Sequence, residues 1–199
     1  MLLAMAGCSP LYKNLQPAIG TYAGLQRFKP VFKTALYNTT VDVTSNHLSG
    51  LLLVKTMPDS SIRMVFSNEM GYKFFDFEFT KNNDFKVYSI IKQMDKKAVI
   101  KTLRKNFELV LMRNMDSARA FIKTDSAGNK YYGFPQEKGF NYYVTNAAGT
   151  SLIRMERASK RKVVVQAIMK NYAAGIPDTI GISHKGFRFD IGLKKLERE

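Results

Sequence analysis

A chain of 199 residues with 31 Lys and Arg against 16 Asp and Glu has a formal net charge of +15, which favours anionic partners and says little about fold. With 45% hydrophobic and 24% charged residues the chain can bury a substantial core, which excludes a disordered or low-complexity protein. One Cys and two His exclude an internal disulfide and a zinc site, and no stretch reaches the roughly 18 consecutive apolar residues of a membrane-spanning helix.

The chain opens MLLAMAGCSP: Met1 to Gly7 are apolar or small, and Ala6 and Gly7 stand directly before Cys8, the sole cysteine. This resembles the lipobox of bacterial lipoproteins, in which an apolar residue and two small ones precede a cysteine that is acylated and becomes the new N-terminus. A full signal peptide has a basic start and a longer apolar run, so the expectation is a start codon upstream of Met1. The resemblance implies that residues 1–7 are the remainder of a signal segment and that Cys8 is acylated, with palmitate as one such chain. It also implies that residues 8–34 are a lipid-anchored tether and lead-in. Each buried methylene contributes roughly 0.8 kcal/mol, so two or three acyl chains make a stable anchor. A location in the envelope sets nucleic acid aside as a partner and leaves membrane lipid, bound through acylated Cys8 and attracted by the basic surface.

From residue 35 the dominant period is two. ALYNTTVDVT (35–44), LSGLLLVKT (48–56) and IRMVFSN (62–68) read as strands, with Met64 and Phe66 sharing a face. NEMG (68–71) makes a turn into YKFFDFEFT (72–80), where Phe75, Phe77 and Phe79 lie opposite Asp76 and Glu78. FKVYSIIKQM (85–94) follows.

The period then changes. DKKAVIKTLRKNFELVLM (95–112) places Val99, Leu103, Phe107 and Val110 at helical spacing, with Asp95 as N-cap and a Lys- and Arg-rich exterior. This predicts an amphipathic helix packed on the sheet, and a basic helix of this kind also suits a membrane surface. Strands return at 119–124, 130–134, 140–146, 151–157, 162–172 and 177–184. In GFRFDIGLKKL (186–196) Phe187, Phe189 and Ile191 alternate with Arg188 and Asp190.

About ten antiparallel strands with one central helix predict a mainly β, α+β domain over 35–199: a large curved antiparallel sheet or unclosed β-barrel with a covering helix. No P-loop, GxGxxG, GxSxG or HExxH is present, so no catalytic residue, metal or cofactor is expected, and the chain reads as a non-enzyme. His47 and His184 each stand beside a turn and read as solvated, and Asp76 and Glu78 as solubilising. The aromatics sit among apolar neighbours as a core requires, which argues against a nucleic-acid stacking platform.

This order of parts, a lipobox, a meander, a central helix, more strands and the ending GIPDTIGISHKGFRFDIGLKKLE, resembles the LolA/LolB superfamily over roughly residues 35 to 196. These are the periplasmic carrier and outer-membrane acceptor of lipoprotein sorting, and the lipobox favours the lipid-anchored LolB-like branch. The resemblance implies an outer-membrane lipoprotein facing the periplasm, a periplasmic carrier protein as partner, and acyl chains of lipid or lipoprotein as ligand. It would line a hydrophobic cavity with Met64, Phe66, Phe75, Phe77, Phe79, Phe187, Phe189 and Ile191, side chains suited to acyl chains without strict shape matching. It would also put Met70 at the tip of a protruding turn that meets the membrane. Period-two alternation does not separate a lined cavity from a filled core. The alternative is therefore a lipid-anchored structural or assembly subunit that uses the fold to bind another protein and has no ligand cavity.

Overall fold

The computed structural model describes residues 12–159 and 161–196; Cys8 and the expected signal segment lie outside them. The N-terminal half of the sheet comprises β2 (Thr34–Val43), β3 (Asn46–Thr56), β4 (Ile62–Ser67), β5 (Lys73–Phe79) and β6 (Phe85–Ile90). A helix, α1 (Lys97–Val110), follows. Then come β7 (Phe121–Thr124), β8 (Lys130–Pro135), β9 (Phe140–Thr145), β10 (Leu152–Ala158), β11 (Val163–Ala173), β12 (Ile176–His184) and β13 (Phe189–Lys195). A two-residue strand, β1 (Gln16–Pro17), and a short 3-10 turn (Ala23–Phe28) precede them all.

These strands form one 13-stranded sheet in the order β1-β7-β8-β9-β10-β11-β12-β13-β2-β3-β4-β5-β6. Every pairing is antiparallel, and β13 meets β2 in the middle, with Ile191 opposite Val41. The sheet is open, because β6 and β1 each have a single neighbour. The fold is therefore mainly β: an unclosed antiparallel sheet with one covering helix.

That order explains where α1 runs. β6 lies at one edge and β7 next to the other, so the chain between them must cross the whole sheet. Fourteen residues of helix span about 21 Å of that crossing. A sheet of more than about ten strands curls rather than staying open and flat, and this one wraps its inner face around the helix. Phe107 of α1 lies 5.9 Å from the Phe75 ring on β5. Leu109, two residues on, offers its carbonyl to the Tyr143 hydroxyl on β9.

Alternation along the strands builds the inner face. On β4 and β5, Met64 pairs with Phe77 and Phe66 with Phe75, and all four side chains are at most 2% exposed. Burying each such side chain contributes roughly 1.5–3 kcal/mol. Asp76 and Glu78 occupy the opposite face but are not solvated, as they would be if merely solubilising. The Arg63 guanidinium grips both Asp76 oxygens at 2.8 and 3.0 Å and lies over the Tyr88 ring at 4.0 Å. Lys86 and the Tyr88 hydroxyl cover Glu78 at 3.2 and 3.1 Å. Burial by itself would raise the Asp76 pKa, but the hydrogen bonds and charge of Arg63 outweigh it and hold the carboxyl below its usual value.

The segment expected as tether and lead-in, 8–34, is folded from residue 12 onward. Tyr12 stacks on Tyr142 at 4.6 Å on the outer face and donates to Glu156 at 2.6 Å. Gln16 and Pro17 then pair with the β7 edge. The chain crosses that edge, and Leu25, Phe28 and Phe32 enter the main core on the inner face. Any tether is thus confined to the residues before Tyr12. Two boundaries also move. The helix begins at Lys97 with Lys96 in the N-cap position and no side-chain cap, while Asp95 lies in the preceding turn. β13 begins at Phe189, which leaves Phe187 in the loop before it.

Candidate functional site: a cleft beneath the helix

Along its length the inner face is covered by three different things. At one end Leu25, Phe28 and Phe32 close it. In the middle the C-terminal half of α1 is sealed down, with Leu103, Phe107, Leu109 and Val110 at most 2% exposed. The N-terminal half of α1 is different, because its sequence, KAVIKT, offers no large buried side chain: Lys97, Ala98 and Lys101 are exposed, and Val99 and Ile100 only half-buried.

Beneath that half lies a cleft of about 780 Å³, within the roughly 300–1,000 Å³ of small-molecule sites. Val41 and Val43 of β2, Leu48 of β3 and Phe74 of β5 form its floor. Ile91 and Met94, from the turn between β6 and α1, make one wall, and Ala98 and Val99 the roof. Phe187 and Phe189 make the other wall, while Asn46, Gln93, Lys96 and Thr102 supply the polar atoms of the lining. The mouth carries two exposed aromatic rings, Tyr72 at 61% and Phe187 at 51%.

Phe74 reaches the cleft through an irregularity that periodicity cannot foresee. Phe75 pairs with Phe66, but the next pair is Lys73 with Ser67, so Phe74 is the extra residue of a β-bulge. Both rings consequently lie against Phe66, Phe74 at 4.8 Å and Phe75 at 5.6 Å.

His184 lies behind the aromatic wall and is half-buried, against the expectation of a solvated turn histidine. Its ring stacks on Phe189 at 4.9 Å, and its Nε2 is 3.1 Å from the Asn106 side-chain amide. Burial, and then the Arg157 charge, push its pKa down to about 4, so the imidazole is neutral at pH 7. His47 is exposed and bonded to Asp42 at 2.9 Å.

The eight residues expected to line a cavity divide sharply. Phe187 and Phe189 line the cleft. Met64, Phe66, Phe75, Phe77, Phe79 and Ile191 are at most 2% exposed and pack in the core beyond it. Met70 is 93% exposed in the turn after β4. Asn68 ties this turn together: its carbonyl accepts from Gly71 N–H at 3.0 Å and its side-chain oxygen from Tyr72 N–H at 2.8 Å. Gly71 closes the turn at φ +83°, a conformation that disfavours other residues. Cys8 lies outside the described residues.

Most of the lining is not marked in the sequence. Val41, Val43 and Leu48 read as strand residues with nothing to signal a site, and Ile91 and Met94 read as part of a strand that in the structure ends at Ile90. One signal was present in the sequence. The apolar stripe of the helix is bulky from Leu103 onward and thin before it, as expected where something other than the helix covers the sheet.

No protein-family model matches the chain, and no curated protein sequence matches it. Among solved structures, a DUF1329 family protein from Desulfovibrio piger is 8% identical with a TM-score of 0.45, over 87% of each chain. A domain named for outer membrane lipoprotein sorting, from Vibrio parahaemolyticus, is 7% identical with a TM-score of 0.46, over 87% of this chain and 88% of that one.

Proposed function

We propose that the protein is a lipid-anchored, LolB-like envelope lipoprotein that takes acyl chains of a lipid or lipoprotein into the cleft under α1, in transfer to the outer membrane from its periplasmic side. The cleft itself carries this reading: about 780 Å³ of apolar-lined space, roofed by the weakly packed half of a helix, with exposed aromatics at its mouth. A space lined by Val, Leu, Ile, Met and Phe accepts a methylene chain without demanding one shape. On this reading Cys8 holds the chain to membrane lipid and a periplasmic carrier delivers the cargo. Three residues separate Cys8 from Tyr12, which is packed, so the four Cα–Cα steps reach about 14 Å at most and the body stays close to the bilayer.

The test is native mass spectrometry and lipid extraction of the full chain, with titration of a fluorescent fatty acid. Val99→Glu and Leu48→Glu place charge in the cleft at half-buried positions. The wild-type chain is expected to retain lipid or bind the probe, and the variants to lose both while keeping the melting temperature within a few degrees. A clean apo mass with no probe binding would reject the carrier and leave the structural-subunit alternative.

A further inference from the structure

On the other flank of α1 lies a second, polar pocket of about 320 Å³. We propose that it is an oxyanion site, for a phosphate or phosphate ester, with Arg157 as its principal ligand. The pocket is lined by Arg157 of β10, Asn141 of β9, Lys138 of the turn between β8 and β9, and Lys101, Thr102 and Lys105 of α1. Among the described residues Glu137 is the one carboxylate in the lining, with four cations. Lys105 is already paired with Glu108 at 2.9 Å, whose charge also reaches Arg157, and among the described residues Lys101 and Lys138 have no ion-pair partner.

One unpartnered cationic group points to an anion. Nη1 of Arg157 is buried without a hydrogen-bond partner, and no carboxylate among the described residues pairs with this guanidinium. Arg157 is half-buried and a guanidinium cannot shed its charge, so leaving its buried Nη1 without an acceptor is unfavourable unless an anion completes it. Asn141, 4% exposed, stands directly opposite Arg157 across the β9–β10 pair; its side-chain oxygen is the buried end and its NH₂, a donor, is the end left for a ligand. Together, the planar fork of Arg157, the Asn141 amide, two ammonium groups and the Thr102 hydroxyl provide the donor set that a phosphate takes.

Ala98 and Thr102 line both this pocket and the apolar cleft, so one stripe of helix separates the two. A lysophospholipid could place its phosphate in one and its chain in the other. That form rests on the acyl-binding reading, whereas a free phosphate ion in the pocket does not.

The experiment is calorimetric titration of the full chain with inorganic phosphate, oleoyl lysophosphatidic acid and its neutral counterpart monoolein, for the wild type, Arg157→Gln and the double variant Lys101→Gln, Lys138→Gln. The lysophosphatidic acid is expected to bind about tenfold tighter than monoolein, with the margin lost in Arg157→Gln and reduced about threefold in the double variant. Arginine-dependent binding of inorganic phosphate, with neither lipid binding, would sustain the oxyanion site and reject the acyl cleft. Equal binding of both lipids, unaffected by either variant, would reject the oxyanion site and leave the cleft standing. If no probe binds, both are rejected. Should Arg157→Gln fail to fold, the double variant, whose lysines both stand at the rim, decides the matter.

Discussion

The two halves of α1 cover the same inner face and do opposite things. The C-terminal half, from Leu103 to Val110, is locked onto β5 and β9 by Phe107 and Leu109. The N-terminal half begins without a side-chain cap, is Lys-rich outside and small inside, and stands above a cleft. Apolar side chains of the sheet lie beneath both. What decides between core and cavity is therefore the helix, and specifically where its large side chains stop.

The strongest way to break this comparison is to weaken the sealed half. Phe107→Ala removes a ring that is 1% exposed and is expected to cost about 3–5 kcal/mol of stability. The check is a urea melt with unchanged slope, and ligand binding should fall only as far as unfolding explains. Val99→Glu on the open half is expected to do the reverse, costing about 1 kcal/mol or less while abolishing probe binding. Comparable stability losses at the two positions would mean that the halves are packed alike and that the cleft is not a separate feature.

A smaller effect follows from His184, which is bonded to Asn106 of the sealed half. Its pKa of about 4 in the folded chain lies below the ordinary value near 6.5. Between those values the unfolded chain takes up a proton that the folded chain refuses. Stability is therefore fully present above pH 6.5 and falls as pH drops through about 4. His184→Gln keeps an amide partner for Asn106 and should flatten that part of the curve, leaving the loss due to carboxylates. Thermal melts from pH 7 to 4 on both proteins measure the difference; parallel curves would mean that the histidine is not held neutral.

The sequence made the strands legible because each alternates one apolar face with one polar face, as in Phe75, Phe77 and Phe79 against Asp76 and Glu78. It also marked the helix, whose period differs. It did not mark the cleft, because Met64 and Phe66 alternate in the same way whether they line a space or fill it. The cleft depends on a bulge at Phe74 and on a turn at Ile91 to Met94, which the strand alternation does not locate, and on thin packing by Ala98, of which only the thin helix stripe shows in the sequence. The packing of the N-terminal segment is hard to read for a related reason. Tyr12, Leu25 and Phe28 are too widely spaced to show periodicity, yet each finds a place because the sheet's edge and open end need covering.

The smallest effect is expected at the mouth. Met70 touches solvent on nearly every side, and Phe187 is half exposed, so neither contributes much to folding. Met70→Ser and Phe187→Ser should each change stability by no more than about 0.5 kcal/mol. If the Met70 thioether and the rings at the mouth meet the bilayer, both changes should slow release of a bound fluorescent fatty acid to vesicles; Met70→Ser should leave its equilibrium affinity in solution nearly intact, whereas Phe187→Ser, which removes part of the cleft wall, should also weaken binding. A stopped-flow transfer assay separates the two quantities, since transfer through collision with the membrane rises with vesicle concentration and transfer through free diffusion does not. Unchanged rates in both variants, with wild-type transfer independent of vesicle concentration, would remove the mouth from the mechanism and leave the cleft as a site that loads and empties through water.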